Sequence, residues 1–213
     1  MKERETNNHL ENIAEIRSIM ERSSGFLSLS GLSGIFAGSF ALLGAGFAYY
    51  YIKYVAGKKL LPSLVIDREL MLVLIADGIA VLALALFFGF LMTRRNTLRK
   101  GLPIKSSASH RMLINLAIPL AAGGLTVFLF IVKGIYSPIP GLLLIFYGLA
   151  LVNASKYTLH DIRYLGLIET ALGLITLWLT GYALLLWALG FGVLHIIYGT
   201  LMYLKYERGQ NKK

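Results

Sequence analysis

The sequence predicts an all-α polytopic membrane protein, with six transmembrane helices in a compact bundle and an N-terminal amphipathic helix. The chain has 213 residues, of which 56% are hydrophobic and only 15% charged, whereas soluble domains are typically about a quarter charged. Uncharged stretches long enough to cross a bilayer recur along the chain. Lysine and arginine also alternate between successive connections, as the topology of a membrane protein requires.

The first element is a charged segment, residues 1–24, with helical periodicity. Asn8 can cap a helix there, with Glu11 three residues later as its capping-box partner. Apolar residues follow at helical spacing, namely Leu10, Ile13, Ile16 and Met20. Five acids dilute the basic character that a membrane-surface helix usually has. We therefore predict a cytoplasmic helix that packs on the bundle, or one that docks a protein partner or dimerises through residues 8–22.

Six apolar stretches follow, each a candidate transmembrane span. Phe26–Ile52 contains 27 residues without a charge, and Tyr164–Leu204 contains 41 residues with one formal charge. The second stretch has about twice the length that one span needs, and Thr180-Gly181 is the predicted break. The transmembrane domain then covers residues 25–205 and precedes a basic tail, 206–213. The spans are predicted at about 26–52, 70–92, 112–132, 139–155, 162–180 and 183–204.

The basic residues predict the orientation of these spans. With six spans, 16 of the 21 lysines and arginines fall on one side of the membrane and 5 on the other. The positive-inside rule then places both termini in the cytoplasm of a multi-pass plasma (inner) membrane protein. The net charge of +10 therefore reports topology and contact with the lipid bilayer. The run TRRNTLRK at 93–100 is a topology signal that can touch anionic lipid, and we expect no nucleic acid as a partner.

Small residues recur in the spans at steps of three and four. This spacing lets helices approach closely, and its period of 3.5 indicates a left-handed packing seam. We expect the stripe of span 1 to face span 5 or span 6. The same stripes serve homo-oligomers. The stripe residues are Gly31, Gly34, Gly38, Ala41 and Ala45 in span 1, Gly166 and Gly173 in span 5, and Gly192 and Gly199 in span 6.

A faint internal repeat relates spans 3–4 to spans 5–6. Gly124-Leu125 matches Gly173-Leu174, and Phe146-Tyr147-Gly148 matches Ile197-Tyr198-Gly199. Together with the echo between spans 1 and 5, these matches predict three helical hairpins of the same polarity. Such hairpins would be related by a pseudo-threefold axis along the membrane normal, unlike the inverted repeats of many transporters.

A family resemblance arises at Pro140–Leu151, which reads PGLLLIFYGLAL. A glycine-punctuated helix after a proline turn, in a six-span protein of tandem hairpins, resembles the HdeD-type acid-resistance membrane proteins. The resemblance covers spans 3–6. It implies a non-enzymatic membrane protein and supplies no catalytic motif.

Three ionisable residues lie inside predicted spans: Asp77, Glu169 and His195. Each costs about 2.5–3.5 kcal/mol on insertion scales, so each is a candidate functional residue. In a tight hairpin of spans 5 and 6, Glu169 and His195 would lie level with each other on facing helices. They would form either a protonatable transport pair or a buried pair that locks the hairpin. Asp77 lies in the outer half of span 2, as an internal hydrogen-bonding group or as a step in a polar pathway.

The stretch Gly31-Leu32-Ser33-Gly34 also resembles the GxSG pattern of rhomboid-type intramembrane serine proteases, with His195 on a later span. Such chemistry needs the Ser33 hydroxyl within hydrogen-bond reach of the imidazole. The pattern departs from that family, because Ser33 lies on the first span and nearer the inner face. The predicted place of Ser33 beside the glycine stripe favours packing instead.

Cofactor chemistry is not indicated by the sequence. The chain has no cysteine, His195 is the only histidine inside a predicted span, and a haem of the b type needs two axial ligands. We therefore expect no cofactor and no metal. Three function classes remain open. They are a non-enzymatic membrane protein with a structural, regulatory or stress-related role, a small channel or proton-coupled carrier using Glu169 and His195, and an intramembrane protease.

Overall fold

The computed structural model describes residues 30–57, 67–99 and 107–208, and every regular element in these ranges is helical. The predicted amphipathic helix of residues 1–24 and the end of the basic tail lie outside the described residues. Because lipid offers no hydrogen-bond partners, a chain that crosses a bilayer must satisfy its backbone internally, and helices do so.

Seven α-helices make up most of the described residues. We number them α1 (Gly31–Tyr50), α2 (Arg68–Arg99), α3 (Ser107–Val132), α4 (Ile139–Ala154), α5 (Asp161–Trp178), α6 (Ala183–Trp187) and α7 (His195–Tyr206). A π-helical turn, Tyr51–Val55, extends α1, and a second π-helical segment, Ala188–Leu194, joins α6 to α7 without a break. Two short 3₁₀ turns, Ser155–Tyr157 and Thr180–Tyr182, stand before and after α5.

Glycine and proline set several of these boundaries. Gly57 and Gly134 have φ angles of +62° and +71°, the left-handed conformation that commonly ends a helix and that glycine adopts without strain. Pro140 lies in the first turn of α4, where a missing N–H costs nothing. The predicted break at Thr180-Gly181 coincides with the 3₁₀ turn after α5.

Within the described residues, five helical segments are long and apolar enough to cross a membrane: Gly31–Val55, Arg68–Arg99, Ser107–Val132, Ile139–Tyr157 and Thr180–Tyr206. These five accord with an integral membrane protein. The remaining predicted span corresponds to α5, which has 18 residues and carries three charged side chains, Asp161, Arg163 and Glu169. Six spans therefore remain a prediction.

The surface of the helices accords with a lipid environment. Large apolar side chains are exposed on every long helix among the described residues. Trp178, for example, is 87% exposed. The helices α2 and α3 are the least buried of the candidate spans. Contiguous apolar surface of this extent is rare on soluble monomers, so these faces indicate contact with lipid.

Two helix pairs dominate the packing. Helix α4 packs along α5, and α1 packs along α7 and the π segment before it. Helix α2 packs on α1, and α3 packs on α4, so these two helices flank the others. The most extensive contact of α5 is thus with α4 rather than with α6 or α7. The threefold relation of three hairpins remains a prediction.

Both dominant pairs are lined by glycine. A Cβ atom at Gly166 would lie 2.6 Å from the carbonyl oxygen of Gly148, across the α4–α5 contact. A Cβ atom at Gly199 would lie 2.6 Å from the carbonyl oxygen of Gly31, across the α1–α7 contact. Backbones can approach this closely only where a side chain is missing.

Polar contacts close the end of the bundle where α1 begins and α7 ends. The Glu207 carboxylate accepts hydrogen bonds from the backbone N–H of Gly31 and the hydroxyl of Ser30. It therefore satisfies a donor that the first turn of a helix leaves free. Beside it, the Asp161 carboxylate accepts hydrogen bonds from Lys205 Nζ at 2.7 Å and Tyr206 Oη at 2.8 Å.

Candidate functional site

Glu169 lies on the inward face of α5, about halfway along the helix. The buried residues of α5 recur at helical spacing, and Glu169 is 0% exposed. At 1.5 Å per residue it lies about 12 Å from the start of α5 at Asp161. Neither carboxylate oxygen of Glu169 has a hydrogen-bond partner among the described residues.

His195 is the first residue of α7, directly after the π-helical segment, and it is 7% exposed. Its Nδ1 lies 3.1 Å from the carbonyl oxygen of Gly190 and 3.4 Å from Oε1 of Glu169. The structure therefore brings together Glu169 and His195, the two candidate residues of spans 5 and 6. Segments of π-helix occur frequently at functional sites, and here the segment carries both Gly190 and the residue before His195.

Tyr147 completes the site. Its hydroxyl lies 2.7 Å from Nε2 of His195, and the two rings are 5.3 Å apart. In the repeat predicted from the sequence, Tyr147 matches Tyr198, and no chemical role was predicted for either residue. The position of Tyr147 in the middle of a predicted span could have identified it, because tyrosines of membrane proteins usually concentrate at the membrane interfaces. A tyrosine in the middle of a span needs an internal partner for its hydroxyl.

Gly190 controls how closely the π segment approaches the carboxylate. A Cβ atom at this position would lie 2.5 Å from Leu144 Cδ2 and 2.6 Å from Glu169 Oε2. Leu144 is completely buried, so it cannot move aside into open space. Only glycine therefore fits at position 190 while Glu169 and Leu144 keep their places.

The hydrogen-bond partners of His195 indicate which ring nitrogen carries the hydrogen. A carbonyl oxygen only accepts hydrogen bonds, so the Nδ1 atom that faces Gly190 carries a hydrogen. In the neutral ring, Nε2 then has a free lone pair and accepts a hydrogen bond from the hydroxyl of Tyr147. The second neighbour of this Nδ1–H is Glu169 Oε1, at 3.4 Å. The imidazole therefore links a phenol on one side to a carboxyl group on the other.

Electrostatics limits the number of protons on this pair. An isolated ionised carboxylate in an apolar interior is strongly unfavourable, and so is an isolated imidazolium. One proton shared between Glu169 and His195 gives a neutral unit, either as two neutral groups or as an ion pair. The arrangement can therefore hold one proton and exchange it between two adjacent groups.

Asp77 lies elsewhere, in the contact between α2 and α1. A Cβ atom built at Gly44 of α1 would lie 3.3 Å from Oδ1 of Asp77. Asp77 is partly exposed. Gly44 is six residues beyond Gly38, which faces the π segment at Gly192, and six residues correspond to about 9 Å along a helix. Asp77 is not among the hydrogen-bond or ion-pair partners found for Glu169 and His195.

Ser33 and His195 are not paired with each other. The hydroxyl of Ser33 donates to the carbonyl oxygen of Ser30, while the nitrogens of His195 face Tyr147 and Gly190. The hydroxyl–imidazole contact that activates a serine nucleophile therefore does not occur among the described residues. Ser33 instead helps to start α1 next to the Glu207 contact.

The predicted stripe residues lie at the two glycine contacts. Gly31, Gly34 and Gly38 face α7 and the π segment, where Gly192 and Gly199 approach them. The stripe of span 5, Gly166 and Gly173, faces Gly148 and Gly141 of α4. Ala41 and Ala45 are buried on α1.

Within the parts of the chain that the structure describes, no three histidine, cysteine or acidic side chains lie together as a metal-binding group. Comparison with protein-family models, with curated proteins and with solved structures found no match. The resemblance to HdeD-type proteins therefore stays a prediction, and the function is argued from the site.

Proposed function

We propose that this chain is a non-enzymatic integral membrane protein with six spans, in which α5 is the span that carries the buried glutamate. The apolar exterior of the other long helices supports the membrane location. Because α5 packs along the whole of α4, a candidate span, it would have to lie at the same membrane depth. The distribution of basic residues supports cytoplasmic termini in the plasma (inner) membrane.

We propose that the buried site of Glu169 and His195 makes the protein a small channel or a proton-coupled carrier. The observation that carries this proposal is the Glu169 carboxyl group, which is 0% exposed and has no hydrogen-bond partner among the described residues. A group that served packing alone would gain stability from a full set of partners. An ionisable group that must change its protonation state benefits from an incomplete set, because no single state is then locked.

A structural, regulatory or stress-related role is the second candidate, and the closure of the site favours it. Glu169 and His195 are both buried in this structure, and a buried pair can fix which helices pack together. The HdeD resemblance supports the same class. In this alternative, the predicted helix at residues 8–22 would bind a cytoplasmic protein.

Proton flux into liposomes that contain the purified protein separates the two candidates. We expect an imposed pH gradient to dissipate faster with the wild-type protein than with empty liposomes, as followed by a trapped pH-sensitive dye. Glu169→Gln should reduce the flux to the background, because glutamine has nearly the shape of glutamate and cannot carry the proton.

Glu207→Gln is the matched control, since it removes a carboxylate at the end of the bundle and should leave the flux unchanged. Equal flux from wild-type and Glu169→Gln proteins would contradict the transport proposal. A wild-type protein without flux, together with a large loss of thermal stability in Glu169→Gln, would favour the structural role.

A further inference from the structure

We propose that Tyr147 is the entry group of a three-membered proton relay, Tyr147–His195–Glu169, and that the site takes a proton rather than a metal or organic cation. This inference rests on the proposed transport function, because it names the ion and the third working residue of the same site. The supporting observation is that the imidazole of His195 has a different partner at each nitrogen.

The imidazole ring of His195 connects the other two groups, because Tyr147 lies at one of its nitrogens and Glu169 at the other. Tyr147 Oη lies 2.7 Å from Nε2 of His195, and Glu169 Oε1 lies 3.4 Å from Nδ1. The first distance is a good hydrogen bond. The second joins two groups without a hydrogen bond, since both Glu169 oxygens lack one among the described residues. A small rotation of the ring exchanges the Gly190 carbonyl for Glu169 Oε1 as the acceptor of Nδ1–H.

Exposure falls along the same line. Tyr147 is partly exposed, His195 is 7% exposed and Glu169 is 0% exposed. Tyr147 is therefore the least buried of the three residues, and we place the entry of the proton at its end of the relay. From the other side, α1 presents the small Gly34 to the backbone of His195, so the neighbouring ionisable groups are those of α4, α5 and α7.

The transfer starts from the deprotonated site, in which the Glu169 carboxylate lies beside a neutral imidazole. Because a buried carboxylate without a counter-charge is the unfavourable state, uptake of one proton is favourable. The transfer balances in atoms and charge. A hydronium ion gives a proton to Tyr147 Oη while the phenol passes its own proton to Nε2, which leaves water and an imidazolium. The imidazolium then releases the Nδ1 proton to Glu169 Oε1. One N–H bond forms and one breaks, the carboxylate becomes a carboxylic acid, and His195 is again neutral with its hydrogen on Nε2. Net uptake is one proton.

The space around Glu169 suits a proton and excludes larger ions. A methyl group built at Gly190 would already lie 2.6 Å from Oε2. Calcium takes six to eight oxygen ligands and magnesium an octahedral set, whereas among the described residues the buried side-chain oxygens without a hydrogen-bond partner are the two of Glu169. The Tyr147 hydroxyl and the Gly190 carbonyl are both paired with His195.

Tyr147→Phe tests the relay in the liposome assay. The variant keeps the ring that packs against Phe191 at 5.1 Å and His195 at 5.3 Å, and it removes only the hydroxyl. We expect proton flux to fall about tenfold or more, because an acid–base group placed for proton transfer contributes at least a hundredfold in typical cases. Tyr198→Phe is the matched control, since Tyr198 holds the equivalent place before a glycine in the last span, and its flux should equal that of the wild type.

A spectroscopic signature checks the hydrogen bond independently of transport. In ¹⁵N-histidine NMR, the signal of His195 is assigned by its loss in His195→Gln. In the wild-type protein, at a pH where this ring is neutral, the signal should be that of the Nδ1–H tautomer. Tyr147→Phe should change this signal, and Tyr198→Phe should not.

The outcomes separate the two proposals. Wild-type protein without flux overturns the transport function and the relay with it. Wild-type flux that Tyr147→Phe leaves unchanged overturns the relay alone, as does an unchanged ¹⁵N signal. Transport of sodium or ammonium ions in the absence of a pH gradient overturns the assignment of the proton.

Discussion

The two glycine-lined helix pairs use the same packing and differ in what they bring together. In the α1–α7 pair the close approach is between backbones, and His195 contributes its carbonyl oxygen, which would lie 3.2 Å from a Cβ atom at Gly34. In the α4–α5 pair, Gly148 and Gly166 let the helices approach, and Tyr147 and Glu169 lie within one helical turn of these two glycines.

His195 belongs to both regions. Its backbone lies in the α1–α7 contact, while its ring points the other way, to the polar groups of α4 and α5. The difference teaches that a small-residue stripe determines which helices touch, whereas the chemistry depends on side chains that point away from the stripe. Disturbing the two contacts should therefore have different consequences for the site.

The largest effect is expected from alanine at a glycine between α4 and α5. In Gly148→Ala the new Cβ would lie 2.5 Å from the carbonyl oxygen of Gly166 and 2.6 Å from the backbone nitrogen of Thr170. Because backbone atoms cannot move aside, the helices must separate, at a cost of about 3 kcal/mol by analogy with overpacked cores. Proton flux should fall as well, since Tyr147 moves with α4.

Gly124→Ala is the control for this variant, because a Cβ atom there meets nothing within 4 Å. Its stability in detergent, measured by thermal unfolding, should equal or exceed that of the wild type. Equal unfolding of Gly148→Ala and Gly124→Ala would contradict the close α4–α5 contact.

A smaller effect is expected at the α1–α7 end. Glu207→Ala removes the acceptor of the Gly31 N–H and the Ser30 hydroxyl. Loss of a helix cap costs about 1 kcal/mol, so thermal unfolding should occur at a slightly lower temperature. Flux should persist, because the site lies far from this end. The neighbouring Arg208→Ala should unfold like the wild type, and a loss of flux in Glu207→Ala would show that the two regions are coupled.

The smallest effect is expected from Asp161→Asn, at the same end of the bundle. The hydrogen bond from Lys205 and a weaker one from Tyr206 hold the pKa of Asp161 below its ordinary value of 3.8, against the opposing effect of partial burial. A lowered pKa stabilises the folded state above the unfolded value, and this contribution is lost as the pH falls through the folded value. The pair is largely exposed, so the contribution is small.

The stability difference between wild-type and Asp161→Asn proteins should therefore be constant from pH 7 down to about pH 4, the ordinary carboxyl pKa. It should decrease below that pH and vanish once the pH is below the lowered pKa of the folded state. Unfolding in detergent at a series of pH values measures it. A difference that grows toward acid pH would have the wrong sign for a carboxylate held by Lys205.

Much of the helical framework could be predicted from the sequence, because long uncharged stretches have few alternatives in lipid. The helix over Arg68–Arg99 extends beyond the predicted span at 70–92, since the arginine-containing segment after it also favours helix. The pairing of Glu169 with His195 was likewise predictable, because a tight hairpin places residues at equal distance from its turn level with each other.

Tyr147 and Gly190 could not be assigned from the sequence. Tyr147 reaches His195 because α4 packs along α5, and this contact between successive hairpins is not encoded in the spacing within either helix. Gly190 depends on the π-helical segment, which shifts the register of the chain just before His195. The sequence was compatible with all three function classes, because His195 could pair with either Ser33 or Glu169. Only the contacts in the structure distinguish these two pairs.

By itself, the sequence determined that the chain is helical and apolar and which ionisable residues lie within it, because burying charge in lipid is costly and helices alone satisfy the backbone there. The tertiary structure decided which side chains meet. Contacts between helices depend on the rotation of each helix about its axis and on the register across glycine. These two quantities place Tyr147 and Glu169 at the two ring nitrogens of His195, and they leave Asp77 and Ser33 outside this group.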